Sequence, residues 1–182
     1  MMLEKFMDML CGTFDNEEQL GKLEEKGITN FPKAEHINTD CTDLICDLPE
    51  DFTGRFVLEE SYYHVGERMN VMPHLFLIQE ENEKITLYSF EMPKGYTKES
   101  FSYKNLKEIS YKELNLSKKF TPIVYEYKDG AFEGCSVSMF SPVTKFTLKE
   151  RFTEEVLEVS EIMEVNGVRT LGYDVPIEYR RV

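Results

Sequence analysis

Positive charge is scarce in this chain of 182 residues, with 21 Lys and Arg against 34 Asp and Glu and a net charge of -13. Binding to nucleic acid needs clustered cations against phosphate, so that class of partner is excluded. Docking on anionic lipid is disfavoured for the same reason. Long apolar runs are absent too, and none approaches the roughly 20 residues that span a bilayer. The first residues, MMLEKFMDML, are apolar at helical spacing but carry Glu4, Lys5 and Asp8. A signal peptide is therefore not expected, and a cytoplasmic protein is. Cysteine is limited to Cys11, Cys41, Cys46 and Cys135, with no CxxC. In a reducing compartment these stay thiols. His36, Cys41 and Cys46 lack a fourth ligand and the close spacing of a zinc site, so no metal is expected. GxSxG, Walker, GxGxxG and HExxH motifs are missing, and no catalytic residue can be named from a local signature. Repeats, low-complexity tracts and Pro/Gly/Ser linkers are missing as well, which leaves a single domain over 1–182.

What is present is a change of period. Leu3, Phe6, Met7 and Leu10 fall on one helical face. Gly12 reads as the stop, in a left-handed cap. Asp15 or Asn16 then caps a second helix over about residues 16–26, with Gly27 at its end. From residue 33 onward the pattern alternates. GRFVLEESYY, PHLFLIQEE, EKITLYSFEM, TPIVYEYKDG, FEGCSVSMF, KFTLKERFT and the two arms around Asn166-Gly167 read as strands. Asp129-Gly130 and Asn166-Gly167 are hairpin turns. TKESFSYKNLKEIS reads as a loop. The expected fold is mainly β: two N-terminal helices within 1–27, then an antiparallel meander over 33–182 closed into a calyx-shaped barrel. Such a barrel either fills its interior with side chains or holds one small ligand.

Several stretches resemble the CpcT/CpeT-type phycobiliprotein lyases. LCGTFDNEEQL is similar to that family's opening motif at Gly12, Phe14, Asn16 and Gln19. GRFVLEESYY is similar to its Glu-Gln-aromatic strand, with Glu59 at the Glu position. Gly134, Cys135 and Glu150 match its Gly-x-Cys segment and the following Thr-Leu strand. GYDVPIEYRR resembles its closing strand. The resemblance implies a lipocalin-like barrel, often a homodimer. It also implies an activity: holding a linear tetrapyrrole and handing it to a cysteine of an acceptor protein, with orientation supplying the catalysis.

On the resemblance, the ligand-binding candidates are Glu59, Tyr62, Arg68, His74 and Glu150. Glu59 and Glu150 would accept hydrogen bonds from pyrrole N–H groups. For Glu150 the alternation with Phe146, Leu148 and Phe152 independently favours an inward side chain. For Glu59 the strand alone leaves the face open, because Glu60 shares one with Phe56 and Leu58. Cys135 reads as a small residue packed inside the barrel. Arg151 alternates away from that face and is expected in solvent. The family's arginine pair, which neutralises the two propionates, corresponds to Leu75 and Leu77 here. Without two guanidinium groups, at roughly 1.5–3 kcal/mol per charged hydrogen bond, the cavity shifts toward an apolar ligand. A barrel filled by its own side chains, serving as a homodimeric interaction module, is the other reading.

Overall fold

The structure, a computed structural model, describes residues 1–182, apart from the side chain of Val65. Helix α1 (Met2–Leu10) is followed by strand β1 (Gly12–Asp15), helix α2 (Glu17–Glu24) and strand β2 (Lys33–Asp40). Then come β3 (Ile45–Cys46), β4 (Arg55–Val65), β5 (Arg68–Glu81), β6 (Lys84–Phe90), β7 (Ile109–Ser110) and β8 (Ile123–Lys128). The chain ends with β9 (Ala131–Ser141), β10 (Thr144–Phe152), β11 (Val156–Val165), β12 (Val168–Leu171) and β13 (Ile177–Arg181). Ten strands close antiparallel in the order β10-β9-β8-β6-β5-β4-β2-β1-β13-β11, with β11 returning to β10. Strand β12 lengthens the sheet beyond β11. The mainly β calyx expected from the alternation is thus the fold. Closure satisfies every inner strand edge.

The hairpins form where the turn chemistry says they should. Asp129-Gly130 and Asn166-Gly167 have positive φ at both central residues, the geometry that suits the strand twist. Between the two helices lies a difference from expectation. Gly12 does not cap α1. Cys11 is already extended, and Gly12 opens β1, which pairs with both β2 and β13. The carbonyls at the end of α1 are capped instead by Arg181 from the last strand. Its guanidinium donates to Asp8 O at 3.1 Å, Met9 O at 2.8 Å and Cys11 O at 2.6 Å. A cation at a helix C-terminus also suits the helix dipole. A Cβ on Gly12 would lie 2.2 Å from that guanidinium, so glycine is needed for close approach. The barrel thus begins at residue 12, with its closing strand in what reads locally as a helix break.

Two cores result. Inside, α1 plugs one end of the barrel: Phe6 meets Tyr125, Phe132 and Phe152 edge-on at 4.9–5.0 Å. Outside, the excursions after β2 and β6 cover β4 and β5. Ile45, Phe101, Leu106 and Ile109 pack there on Phe56, Leu58, Leu75 and Leu77. Leu58 opposes Leu75 and Phe56 opposes Leu77 across the ladder. The two leucines matched to the family's arginines therefore point out of the barrel, into a second hydrophobic layer. No guanidinium at either position could reach the interior.

Leu77→Arg is accordingly expected to cost about 4 kcal/mol through an unpaired buried charge. Urea denaturation reads this as a lowered midpoint. An unchanged midpoint would mean that the second layer opens freely.

Candidate ligand cavity

The end of the barrel that α1 does not plug holds a cavity of about 540 Å³. That lies within the roughly 300–1,000 Å³ of small-molecule sites. Its wall combines apolar side chains, among them Phe76, Phe120, Phe140, Phe146 and Leu148, with a group of titratable residues. Alternation explains who points in. On β4, Val57 joins the inner core and Glu59 and Tyr63 line the cavity, while Phe56, Leu58 and Glu60 serve the outer layer. Glu60 is satisfied there by the Tyr103 N–H at 3.0 Å and the Tyr62 hydroxyl at 2.7 Å.

Glu59 sits between two histidines. His36 Nδ1 from β2 lies 3.5 Å from its Oε2, and His74 Nδ1 from β5 lies 3.4 Å from its Oε1. Ser61 donates to Oε1 at 3.1 Å. Burial pushes the Glu59 carboxyl up, but the two imidazoles outweigh it and hold the group well below the usual carboxylate range. The reverse holds for His36: burial lowers its pKa, and Glu59 more than restores it. His36 Nε2 faces the Tyr63 hydroxyl at 3.3 Å.

Glu150 belongs to the opposite wall. Strands β4 and β10 are five places apart in either direction around the ring. Tyr125, Gly134 and Glu150 form one row across β8, β9 and β10. A Cβ on Gly134 would lie 2.6 Å from the Tyr125 ring, so the glycine lets that ring lie across β9. The Tyr125 hydroxyl then donates to Glu150 Oε2. Burial, and after it the negative charge of Glu59, raises the Glu150 carboxyl to about 7. Glu161, from β11, is pushed up by the same two causes. The Tyr179 hydroxyl, buried beside the His36 ring, has no hydrogen-bond partner among the described residues.

Of the candidates named from sequence, Glu59, His74 and Glu150 line one cavity, and two do not. Tyr62 faces the outer layer, where it bonds Glu60. Arg68 is exposed at the hairpin end, where β5 begins. Cys135 also departs from expectation. It is exposed on the outer face, because Gly134 takes the inner position beside it. Arg151 is in solvent as expected, paired with Glu133 and Glu158. His36 and Glu161 had no place among the ligand candidates. Glu161 was legible, since Leu157, Val159, Glu161 and Met163 alternate on one face. His36 was not, because Ala34 and Asn38 give its face no apolar signature. Among the described residues, no group of three or more His, Cys, Asp or Glu is arranged to hold a metal ion. No helix is long and apolar enough to cross a membrane.

No protein-family model and no curated protein matches the chain. Among solved structures it is similar to the T-type phycobiliprotein lyase CpeT from Prochlorococcus phage P-HM1. The likeness spans 100% of this chain and 98% of that one, at 10% identity and a TM-score of 0.59. The resemblance read from the motifs therefore holds at the level of the fold, in a divergent form.

Two expectations follow from the carboxyl row. Glu150 holds its proton more tightly folded than unfolded, so its contribution to stability falls as pH rises from about 4.5 toward 7. Glu150→Gln has no such proton to lose. Relative to the parent it should gain about 2–3 kcal/mol between about pH 5 and pH 8 in urea melts. A pH-independent difference would show that Glu150 titrates as an ordinary carboxyl. Gly134→Ala should cost about 1–3 kcal/mol by overpacking against Tyr125. A thermal midpoint equal to the parent's would show that the ring has somewhere else to go.

Proposed function

We propose that the chain is a CpeT-like carrier that holds a linear tetrapyrrole, or another small and largely apolar molecule, for delivery to a cysteine of an acceptor protein. The observation that carries this reading is the recessed, aromatic-walled cavity with half-buried carboxyl groups on opposite walls. It lies in a barrel of the same fold as a phycobiliprotein lyase. A flat conjugated ligand would stack on the aromatic wall. Its pyrrole N–H groups would donate to Glu59, the carboxylate that the two histidines keep ionised. Contact residues on this reading are Glu59, His74 and Glu150, joined by His36 and Glu161.

The thiols suit a carrier better than a permanent holder. No cysteine is among the lining residues described. Burial pushes the Cys11 thiol up to about 11 and the Cys41 thiol up to about 12, which leaves both protonated and unreactive. A bound tetrapyrrole would therefore stay free to leave for another protein's thiolate. Free thiols also suit the cytoplasm, where the carrier would work. A barrel filled by its own side chains is disfavoured by the open volume. Loss of the arginine pair does not argue against a ligand, since Leu75 and Leu77 lie outside the cavity.

Absorbance titration with biliverdin and with its dimethyl ester is the direct test. A saturable shift of the long-wavelength band, abolished by Phe146→Arg, is expected of at least one of the two. Native mass spectrometry should then show one ligand per chain. Only the bare mass, with neither spectrum changed at any concentration, would sink the carrier reading.

A further inference from the structure

The cavity has an unusual charge inventory for a site meant to receive a tetrapyrrole acid. Three glutamates line it, Glu59, Glu150 and Glu161, and Lys119 is the one lysine or arginine among the described lining residues. Only Glu59 has a basic partner within ion-pair distance. Glu150 has the Tyr125 hydroxyl, and Glu161 has no charged partner among the described ion pairs. Half-buried carboxyls without a counter-charge are costly, and such groups cluster at functional sites. The aromatic wall points the same way. Phe140 and Phe146 stack at 5.3 Å and 18°, with Phe120 edge-on to both. The Lys119 ammonium lies 4.1 Å from the Phe140 centroid, so these ring faces already accept a cation.

We infer that the cavity selects its ligand by charge: it takes a flat, apolar molecule as an organic cation, protonated on a ring nitrogen, and rejects free carboxylates. This inference rests on the carrier reading and narrows its ligand class. The proton has a source at hand. When a neutral conjugated imine nitrogen lies against Glu150, the O–H bond of the carboxyl breaks and an N–H bond forms on the ligand. The electron pair stays on the carboxylate, which becomes the counter-ion. Burial and Glu59 keep that proton on the empty site until a base arrives. Tyr125 holds the carboxyl in place, while His36 and His74 compensate Glu59 on the other wall. Tyr63, whose hydroxyl faces His36, and Tyr179, beside the His36 ring, are neutral phenols, both pushed up by burial. A propionate brought into this space would meet two acids and a Glu59 that already engages both imidazoles, with Lys119 the one lysine or arginine among the described lining residues to offset it.

The test compares two probes that share one chromophore and differ in charge, the ester adding two methyl groups. Biliverdin carries two free propionates, and its dimethyl ester carries none. The wild-type protein is expected to bind the ester at least roughly tenfold more tightly. It should also give the bound ester the red-shifted band of the N-protonated chromophore. Glu150→Gln, checked for folding by circular dichroism, should lose the protonated band and bring the two affinities toward one value. Equal binding of both probes, or tighter binding of the free acid, would overturn the charge selection and leave the carrier reading standing. Binding of the ester without the protonated band would overturn the proton step. If neither probe binds, the carrier reading fails and this inference fails with it. The comparison on the wild-type chain needs no variant, so misfolding of Glu150→Gln cannot mask the answer.

Discussion

Strand β4 is buried on both faces, and the cavity depends on that constraint. Phe56 and Leu58 enter the outer layer, where Ile45, Phe101, Leu106 and Ile109 offer them apolar surface. A one-residue slip would put Phe56 and Leu58 inside and Glu59 under the outer layer. The register therefore decides which of the two adjacent glutamates lines the cavity. Glu60 goes outward and is satisfied locally by Tyr62 and Tyr103. Glu59 goes inward and needs two histidines to stay ionised.

The outer layer also changes what the loss of two arginines means. Read against the family, Leu75 and Leu77 look like a broken carboxylate clamp. In the fold they are sound core residues, opposite Leu58 and Phe56. Their positions cannot have held a clamp in this barrel without exposing or removing the excursions that cover them. The described lining of the cavity instead presents three glutamates, two histidines, aromatic faces and one lysine. A scaffold shared with a phycobiliprotein lyase thus bears its own set of lining groups, since fold places a cavity and side chains choose its occupant.

The ends of the chain carry the closure. Arg181 reaches back to the carbonyls that end α1 and needs Gly12 to do so. Asn16 bonds the backbone of Pro32 and Ala34, and Gln19 bonds that of Pro176 and Glu178. The opening motif is therefore a set of struts between the helices and the barrel's first and last strands. This is why it marks the scaffold, with α1 plugging one end while the cavity opens at the other.

Much of this architecture was legible in the residues themselves. Alternation from 55 to 63 and from 146 to 152, with Asn166-Gly167 and Asp129-Gly130 at the turns, determined a long antiparallel meander. Its length determined that the sheet must close. The same alternation favoured an inward Glu150 and an outward Arg151, because a pleated strand has a period of two. Only tertiary structure could decide the rest. Where both faces of a strand are buried, period alone does not say which is the inside, so Glu59, Tyr62 and Leu75 needed the outer layer to be assigned. A short strand such as β1 has too few residues to show a period, so Gly12 read as helix punctuation. The charge of the cavity depends on residues far apart in the chain, His36, Glu59, Glu150 and Glu161. Their meeting is a property of closure, which no local pattern records.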